Sequence, residues 1–193
     1  MKSLAEYEVL AAQAHGHLCA GQILGLRMAL YGMRLLGLED PAGRDRKRLI
    51  VFVEIDRCMT DAIPVVTGSR LGKRALKFRD FGKVAATFCD LQDGRAVRLA
   101  ARERARARAR ELHPEIESTN QQQMAAYREM ADDELFEIAW VRVKLGPEDL
   151  PGYRAQRPVC AQCGEAISFR REVARGDVTL CRSCAGESYY SPA

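Results

Sequence analysis

The chain has 193 residues, of which 47% are hydrophobic and 29% charged, and a formal net charge of +4. This length fits one medium-sized domain with a small appendage, and the hydrophobic content excludes global disorder. A balance of 30 Lys and Arg against 26 Asp and Glu does not by itself indicate a nucleic-acid partner. Seven cysteines, an odd number, with no secretory leader argue against a disulfide framework and predict a cytoplasmic protein.

The first forty residues are predicted to be helical. Apolar residues recur at helical spacing over residues 3–14 and again over residues 19–38. The second stretch is long enough to raise the question of a membrane span, but Arg27 and Arg34 would be costly in hydrocarbon and favour a buried helix. Its small residues, including Gly25, predict close approach by another helix or strand. Its apolar surface predicts a position in the core or at a subunit interface.

A buried strand is predicted over residues 49–53, where five apolar residues follow one another before Glu54. Cys58 comes just after this strand, at the start of a short helical segment that ends at Gly68. The backbone N–H groups at such a junction favour a thiolate. Pro64 fits this segment only if it falls in the first helical turn.

The middle of the chain predicts more strands, over residues 75–79, 83–88 and 95–99. The turn between the first two is Asp80-Phe81-Gly82, and the Asp93-Gly94 pair is a hairpin signal before the third. Arginine and alanine then alternate over residues 101–110, and this composition favours a helix whose arginines spread all round it. Such a distribution is typical of a solvated element.

The rest of the chain predicts a helix, a strand, a linker and a small C-terminal domain. The helix begins at Ser118 or Thr119 and runs to Met130, and a strand follows over residues 135–145. Prolines and glycines then mark a linker. The predicted fold class is α+β: a mixed core of helices and antiparallel sheet over residues 1–146, a linker over 147–157 and a four-cysteine zinc finger over 158–193.

The strongest pattern in the sequence is a pair of Cys-x2-Cys knuckles, formed by Cys160, Cys163, Cys181 and Cys184. Two such knuckles complete a tetrahedral shell of four thiolates around zinc. About thirty residues cannot build an adequate core alone, so a metal is needed to make this segment fold. Four thiolates close the coordination shell, which predicts a structural zinc that presents a surface to a protein partner, a second subunit or nucleic acid.

A second group of possible ligands begins with His15, His17 and Cys19, which fall within five residues. In an extended segment all three share a face, and in a helix His15 and Cys19 still do. Imidazole and thiolate bind zinc and similar metals, so three ligands and an open position predict metal exchange or catalysis. The candidate cleft residues are His15, His17, Cys19 and Cys58. Glu54 and Asp61 are possible supporting carboxylates, and the alternative is a helix terminus with packed histidines and buried thiols.

Other chemistry receives less support from the sequence. The segment Gly68–Arg74 resembles a phosphate loop, but its glycines are too close together and no Ser or Thr follows Lys73, which argues against nucleotide hydrolysis. A basic glycine-rich turn of this kind can still hold an anion. Cys89 lies in an apolar strand and is predicted to be an inert core residue.

In combination these motifs resemble the FmdE family, named for a protein associated with formylmethanofuran dehydrogenase. The resemblance rests on residues 15–21, on Glu54, Cys58 and Asp61, and on two glycine-containing segments at 67–73 and 80–83. It covers nearly the whole chain, and some family members carry a C-terminal treble-clef zinc finger. The resemblance implies an α+β core, an intertwined homodimer and a cleft lined by His15, His17, Cys19 and Cys58.

The chain departs from the family pattern at two positions. Ala20 stands where the family usually has Pro, and Ser69 stands where many members have a further Cys. The second difference argues against chemistry that needs an additional thiol.

The function predicted at this point is that of a metal-binding accessory protein linked by resemblance to molybdenum or tungsten enzymes. Its cleft would bind a metal ion, a second one besides the zinc, or a small ligand, and its finger would dock a partner. One alternative is an enzyme with Cys58 or Cys19 as nucleophile and a histidine as base. The weaker alternative is a zinc-finger regulator that contacts nucleic acid through the finger and the arginine-rich helix. No membrane association is expected.

Overall fold

The computed structural model describes residues 1–41, 43–45 and 47–191. The chain divides into two compact units, Met1–Val143 and a second unit from Lys144 onward. Residues 192 and 193, the last two of the predicted finger, lie outside the described part. Each unit is considered by itself.

The first unit combines helices with one sheet. Its helices are α1 (Leu4–His15), α2 (Ala20–Leu36), α3 (Cys58–Thr67), α4 (Arg104–Leu112), α5 (Thr119–Glu129) and α6 (Asp132–Leu135). Its strands are β1 (Leu49–Val53), β2 (Leu76–Phe78), β3 (Ala85–Asp90), β4 (Ala96–Ala101) and β5 (Phe136–Val141). These elements confirm the predicted α+β class.

The five strands lie in the order β2-β1-β3-β4-β5. Strand β2 runs parallel to β1 after the α3 crossover, and the other neighbours are antiparallel. The sequence predicts that a turn joins β2 to β3, but these strands do not pair, because β1 lies between them. The connection instead crosses the end of β1, where the Phe81 and Lys83 N–H groups donate to the Glu54 carbonyl at 3.1 and 3.2 Å.

Helix α2 is the centre of the first core, and it packs on α3, α5 and the sheet. Its small-residue ridge makes the predicted close contacts inside one chain. A Cβ at Gly25 would lie 2.5 Å from the Met59 carbonyl oxygen in α3, and a Cβ at Gly32 would lie 2.5 Å from the Phe88 ring in β3. The ridge therefore packs against other elements of the same chain.

The polar side chains of α2 bind the C-terminal end of α5. Arg27 donates to the carbonyls of Tyr127 and Met130 at 2.7 and 2.8 Å and to the Asp132 carboxylate at 2.9 Å. This arrangement satisfies carbonyls that a helix end leaves without partners. None of the helices in the described part of the chain is long and apolar enough to cross a membrane.

The structure corrects the predicted place of Pro64 in α3 and confirms that α4 is a solvated helix. Pro64 is the seventh residue of α3, beyond the first turn, so the helix gives up the hydrogen bond that an N–H at this position would donate. In α4, Ala105 and Ala109 are buried while the neighbouring arginines are exposed, as expected for a solvated helix. Cys89 is buried in β3, as predicted.

The second unit contains a hairpin between two cysteine pairs. Strands β6 (Val173–Arg175) and β7 (Val178–Leu180) pair antiparallel, and an isolated bridge joins Val159 to Ala166. A helical turn over Ser183–Glu187 follows the hairpin.

Candidate functional site

The histidine-rich segment is a sharp connection between two helices. Helix α1 ends at His15, and Gly16 caps it in the left-handed conformation with φ of +94°. Cys19 is extended and is the N-cap of α2. The segment is therefore neither one strand nor one helix, and both geometries considered for it from the sequence are wrong. Tertiary contacts, and not a shared face, decide where these side chains lie.

His15 contacts a carboxylate on α3. Its Nδ1 lies 2.9 Å from Oδ2 of Asp61, which agrees with the prediction that Asp61 supports the histidines. The rings of His15 and His17 lie 4.9 Å apart between centroids, tilted by 46°. A carboxylate on one ring nitrogen orients the imidazole and leaves Nε2 as its other polar atom.

The thiols of Cys19 and Cys58 meet at the start of α2 and α3. A Cβ at Gly21 would lie 3.2 Å from the Cys58 Cβ and 3.8 Å from the Cys19 Sγ, so the glycine allows the two segments to come close. Burial raises the pKa of the Cys58 thiol, and its contact with the Cys19 thiol raises it further. Cys58 is therefore protonated at neutral pH, although it lies at a helix N-terminus.

These thiols lie in the wall of a cavity of about 400 Å³. The wall has an apolar part and a polar part. The apolar side chains are those of Ala20, Leu24, Ile55, Met59 and Val84, and the polar ones those of His17, Cys19, Arg57, Cys58, Arg106, Asn120, Gln123 and Tyr127. Cavities of this size hold small organic molecules.

The polar residues that α4 and α5 contribute to the cavity were not predicted from the sequence. Asn120 Oδ1 accepts the Ala20 N–H at 3.0 Å and so fixes the start of α5 beside the start of α2. Arg106 and Tyr127 come from the same pair of helices. No local pattern marks these residues, because they lie about a hundred positions after Cys19, which lines the same cavity.

Glu54 does not support the cleft. Its carboxylate accepts two hydrogen bonds from Arg98 on β4, both 2.7 Å long, and it is 5% exposed. The glycine-rich turn after α3, residues 68–74, contributes no residue to the described cavity wall. Its Ser69 is buried, with its hydroxyl 2.7 Å from that of Thr67.

The four C-terminal cysteines converge as the knuckle spacing predicts. The ligand atoms of Cys160, Cys163, Cys181 and Cys184 all lie within 4.8 Å of one another. The sulfurs of Cys163 and Cys181 are 3.9 Å apart, close to the roughly 3.8 Å expected between ligands of a tetrahedral zinc with 2.3 Å bonds. Among the described residues no second group of three or more His, Cys, Asp or Glu donors converges in this way.

Backbone N–H groups stabilise negative charge in this cluster. The N–H groups of Cys163 and Cys181 lower the pKa of Cys160 to about 6, and the Cys181 N–H lies 3.3 Å from the Cys160 sulfur. Contact with the Cys181 thiol is the main cause that raises the pKa of Cys184 to about 12. Four thiols this close resist joint ionisation unless a cation binds them, so the donor set fits zinc.

Comparison with known proteins supports both parts of this description. Residues 154–190 match the prokaryotic dksA/traR C4-type zinc finger. A crystal structure of a tungsten formylmethanofuran dehydrogenase FmdE-like protein from Syntrophus aciditrophicus has the same fold, with a TM-score of 0.66 and 24% identity over 98% of this chain and 96% of that one.

A family match covers most of the first unit, and a curated relative aligns with nearly the whole chain. The chain is 30% identical over 208 aligned positions to a probable S-adenosyl-L-methionine-binding protein from Archaeoglobus fulgidus, with 94% of this chain aligned. It spans about half the length of that relative, 52%. Residues 14–137 match the family described as FmdE, molybdenum formylmethanofuran dehydrogenase operon. This match extends over more than half of the sequence and includes the cavity and its two thiols, and the chain therefore belongs to the FmdE family.

Proposed function

We propose that this protein is an accessory protein that binds a small ligand or a metal ion in the cavity of its first unit. The observation that carries the proposal is the meeting of two thiols, Cys19 and Cys58, from separate segments in the wall of one cavity. Soft metals and thiophilic ligands bind best to such sulfur pairs. His17 lines the same cavity, and His15 lies beside it in contact with Asp61.

The nature of the relatives supports a link to molybdenum or tungsten enzymes. The family takes its description from a molybdenum formylmethanofuran dehydrogenase operon, and the Syntrophus protein is described by its likeness to a component of the tungsten enzyme. On this proposal the protein serves such an enzyme or its maturation machinery. The C-terminal unit holds a structural zinc and docks the partner, and its hairpin and following helical turn support a treble-clef arrangement.

S-adenosylmethionine is a second candidate ligand. The Archaeoglobus relative is described as a probable binder of this molecule, and a cavity of about 400 Å³ admits a ligand of that size.

A thiol-dependent enzyme is less favoured, because burial keeps the Cys58 thiol protonated and hence a weak nucleophile. The proposal includes a cytoplasmic location, because an odd number of cysteines, four of them in one metal-type cluster, fits a compartment that keeps thiols reduced.

The proposal includes a homodimer. Edge strand β5 exposes Ile138 and Trp140, which are 38% and 56% accessible, and their partners Leu99 and Val97 on β4 are fully buried. The apolar face of the sheet thus continues onto an uncovered edge. Covering it with the same face of a second copy would bury both side chains.

The ligand proposal is tested with phenylarsine oxide, whose arsenic binds two adjacent thiols. Zinc-loaded full-length protein should gain one arsenic adduct per chain in intact mass spectra. Cys19→Ala or Cys58→Ala should remove that adduct, since each substitution leaves a single thiol in the cavity wall. The matched control Cys89→Ala should keep the adduct. An adduct that survives both cleft substitutions, in protein that has kept its zinc, would refute the proposal.

A further inference from the structure

We propose that the cavity takes a small organic anion with an apolar body, whose charged group pairs with Arg57 and Arg106. This inference rests on the proposed function, because it names the class of ligand for the same cavity. Two arginines line the wall, and none of its described residues is an Asp or Glu. An anionic group is the ligand chemistry that complements this positive charge inside a concave surface, where charge is focused.

Arg57 lies where two helices begin. It is the N-cap of α3, and the N-cap of α2 is Cys19, in the same wall. Neither side chain makes a capping hydrogen bond to its own helix. The positive ends of two helix dipoles therefore add to the guanidinium charge on this side of the cavity.

Arg106 approaches the cavity from α4. Its guanidinium lies 3.3 Å from Glu103, one turn earlier, and the two side chains are 57% and 83% exposed. An exposed pair of this kind is weak, so an anionic ligand in the cavity can compete with Glu103 for the guanidinium. Its neighbour in the wall, Tyr127, is buried and adds a phenol to the polar side.

The apolar side chains in the wall determine what the rest of the ligand must be. Leu24, Ile55, Met59 and Val84 form an apolar surface, and the volume of about 400 Å³ exceeds what a bare metal or an inorganic anion fills. The combination fits an amphipathic molecule with a carboxylate or phosphate at one end. Such a ligand would satisfy the arginines and the apolar surface together.

The test uses two fluorescent probes that differ by one charged group. 8-Anilinonaphthalene-1-sulfonate carries a sulfonate, and N-phenyl-1-naphthylamine has the same rings without it. Zinc-loaded full-length protein should bind the sulfonate more tightly. Arg57→Gln and Arg106→Gln should each weaken sulfonate binding about five- to tenfold and leave binding of the neutral probe unchanged.

The matched control is Arg108→Gln, on the same helix. Arg108 pairs with Glu111 at 2.9 Å and is not part of the described cavity wall, so sulfonate binding should be unaffected. Benzoate or phenyl phosphate should displace the sulfonate probe, and the better competitor identifies the charged group of the ligand. Equal losses for both probes, an equal loss in Arg108→Gln, or no sulfonate preference would overturn the inference.

The two proposals can fail separately. If the arsenic adduct depends on Cys19 and Cys58 while the sulfonate ignores both arginines, the thiol site stands and the anion class is wrong. If the arginine substitutions act as expected while the adduct survives the cysteine substitutions, the cavity binds anions and the thiols are not its ligand group.

Discussion

The position of Cys58 follows from the local sequence, whereas the pKa of its thiol is set by the residues around it in the fold. The strand-to-helix junction predicts a stabilised thiolate, and Cys58 does open α3. Burial and the adjacent Cys19 thiol act in the opposite direction and raise its pKa. The position could be predicted because it depends on a few adjacent residues. The rise in its pKa depends on burial and on a thiol 39 positions earlier in the chain, and could not be predicted from the local sequence.

A second residue-scale effect concerns Asp45, which is 1% exposed. The Asp40 N–H is the main cause that lowers the pKa of Asp45 from 3.8 to about 2, with help from Arg44 and the Glu39 N–H. Because the pKa is lower in the folded protein, the stabilisation is present above about pH 4 and is lost as the pH falls towards 2. Asp45 thus contributes to the acid resistance of the first unit.

We expect Asp45→Asn to lower the stability of the first unit at pH 7 and to remove this part of its acid dependence. The fluorescence of Trp140, the single tryptophan, reports unfolding of that unit in urea at several pH values. The difference between the two proteins should shrink between pH 4 and pH 2. A difference that stays constant over this interval would contradict the assignment.

At the scale of elements, α2 and α3 pack closely because α2 has a glycine, with no side chain, where the two helices cross. Gly25 faces the backbone of Met59, which cannot move as a flexible side chain can. The sequence predicted this close approach from the spacing of small residues. It left the identity of the second element open, because the same ridge also suits an interface between subunits.

Gly25→Ala should destabilise the first unit by about 1–3 kcal/mol, because its Cβ would overlap the Met59 backbone. The measurement is the urea midpoint followed by Trp140 fluorescence. Gly72→Ala is the control, since a Cβ there meets nothing within 4 Å and the backbone is not left-handed, and it should leave the midpoint unchanged. Equal midpoints for the two variants would show that the crossing tolerates a methyl group.

The sheet shows which part of a topology is hidden from sequence. The β3–β4 hairpin follows from the Asp93-Gly94 turn, and both strands are found close to their expected bounds. The partner of β2 could not be predicted in this way, because a short turn before β3 gives no sign that β1 will lie between β2 and β3. Pairing in the interior of a sheet is decided by packing of the whole unit, which a local pattern does not contain.

At the scale of the whole molecule, the two units depend on different sources of stability. The first has a continuous apolar core, whereas in the second the four cysteines converge among few buried apolar residues. The cysteine cluster could be predicted because its spacing is local. The cavity wall could not, since Arg57, Arg106 and Asn120 come from three distant segments.

Cys181→Ser should remove the bound zinc and unfold the second unit while the first keeps its Trp140 transition. Inductively coupled plasma mass spectrometry gives the zinc content per chain, and urea unfolding gives the stability of the first unit. Cys89→Ser is the control for loss of a thiol, and it should retain zinc. A Cys181→Ser protein with its full zinc content would refute the assignment of the ligands.

Light scattering at micromolar concentration should give the mass of a dimer. Ile138→Lys should shift it to a monomer, since a charge on β5 opposes burial of this edge. The control is Val9→Lys, which replaces an apolar residue on α1 that is 58% exposed, and this variant should remain a dimer. A monomeric wild-type protein would refute the proposed assembly.

The burial of α2 on most of its sides has a consequence for synthesis on the ribosome. Helix α2 is complete by residue 36, but β3, β4 and α5, which cover it, end only at residues 90, 101 and 129. At elongation rates of about 5–20 residues per second, this apolar helix stays without these packing partners for several seconds. A nascent chain stalled before β3 should therefore bind holdase chaperones, and one released after α5 should not.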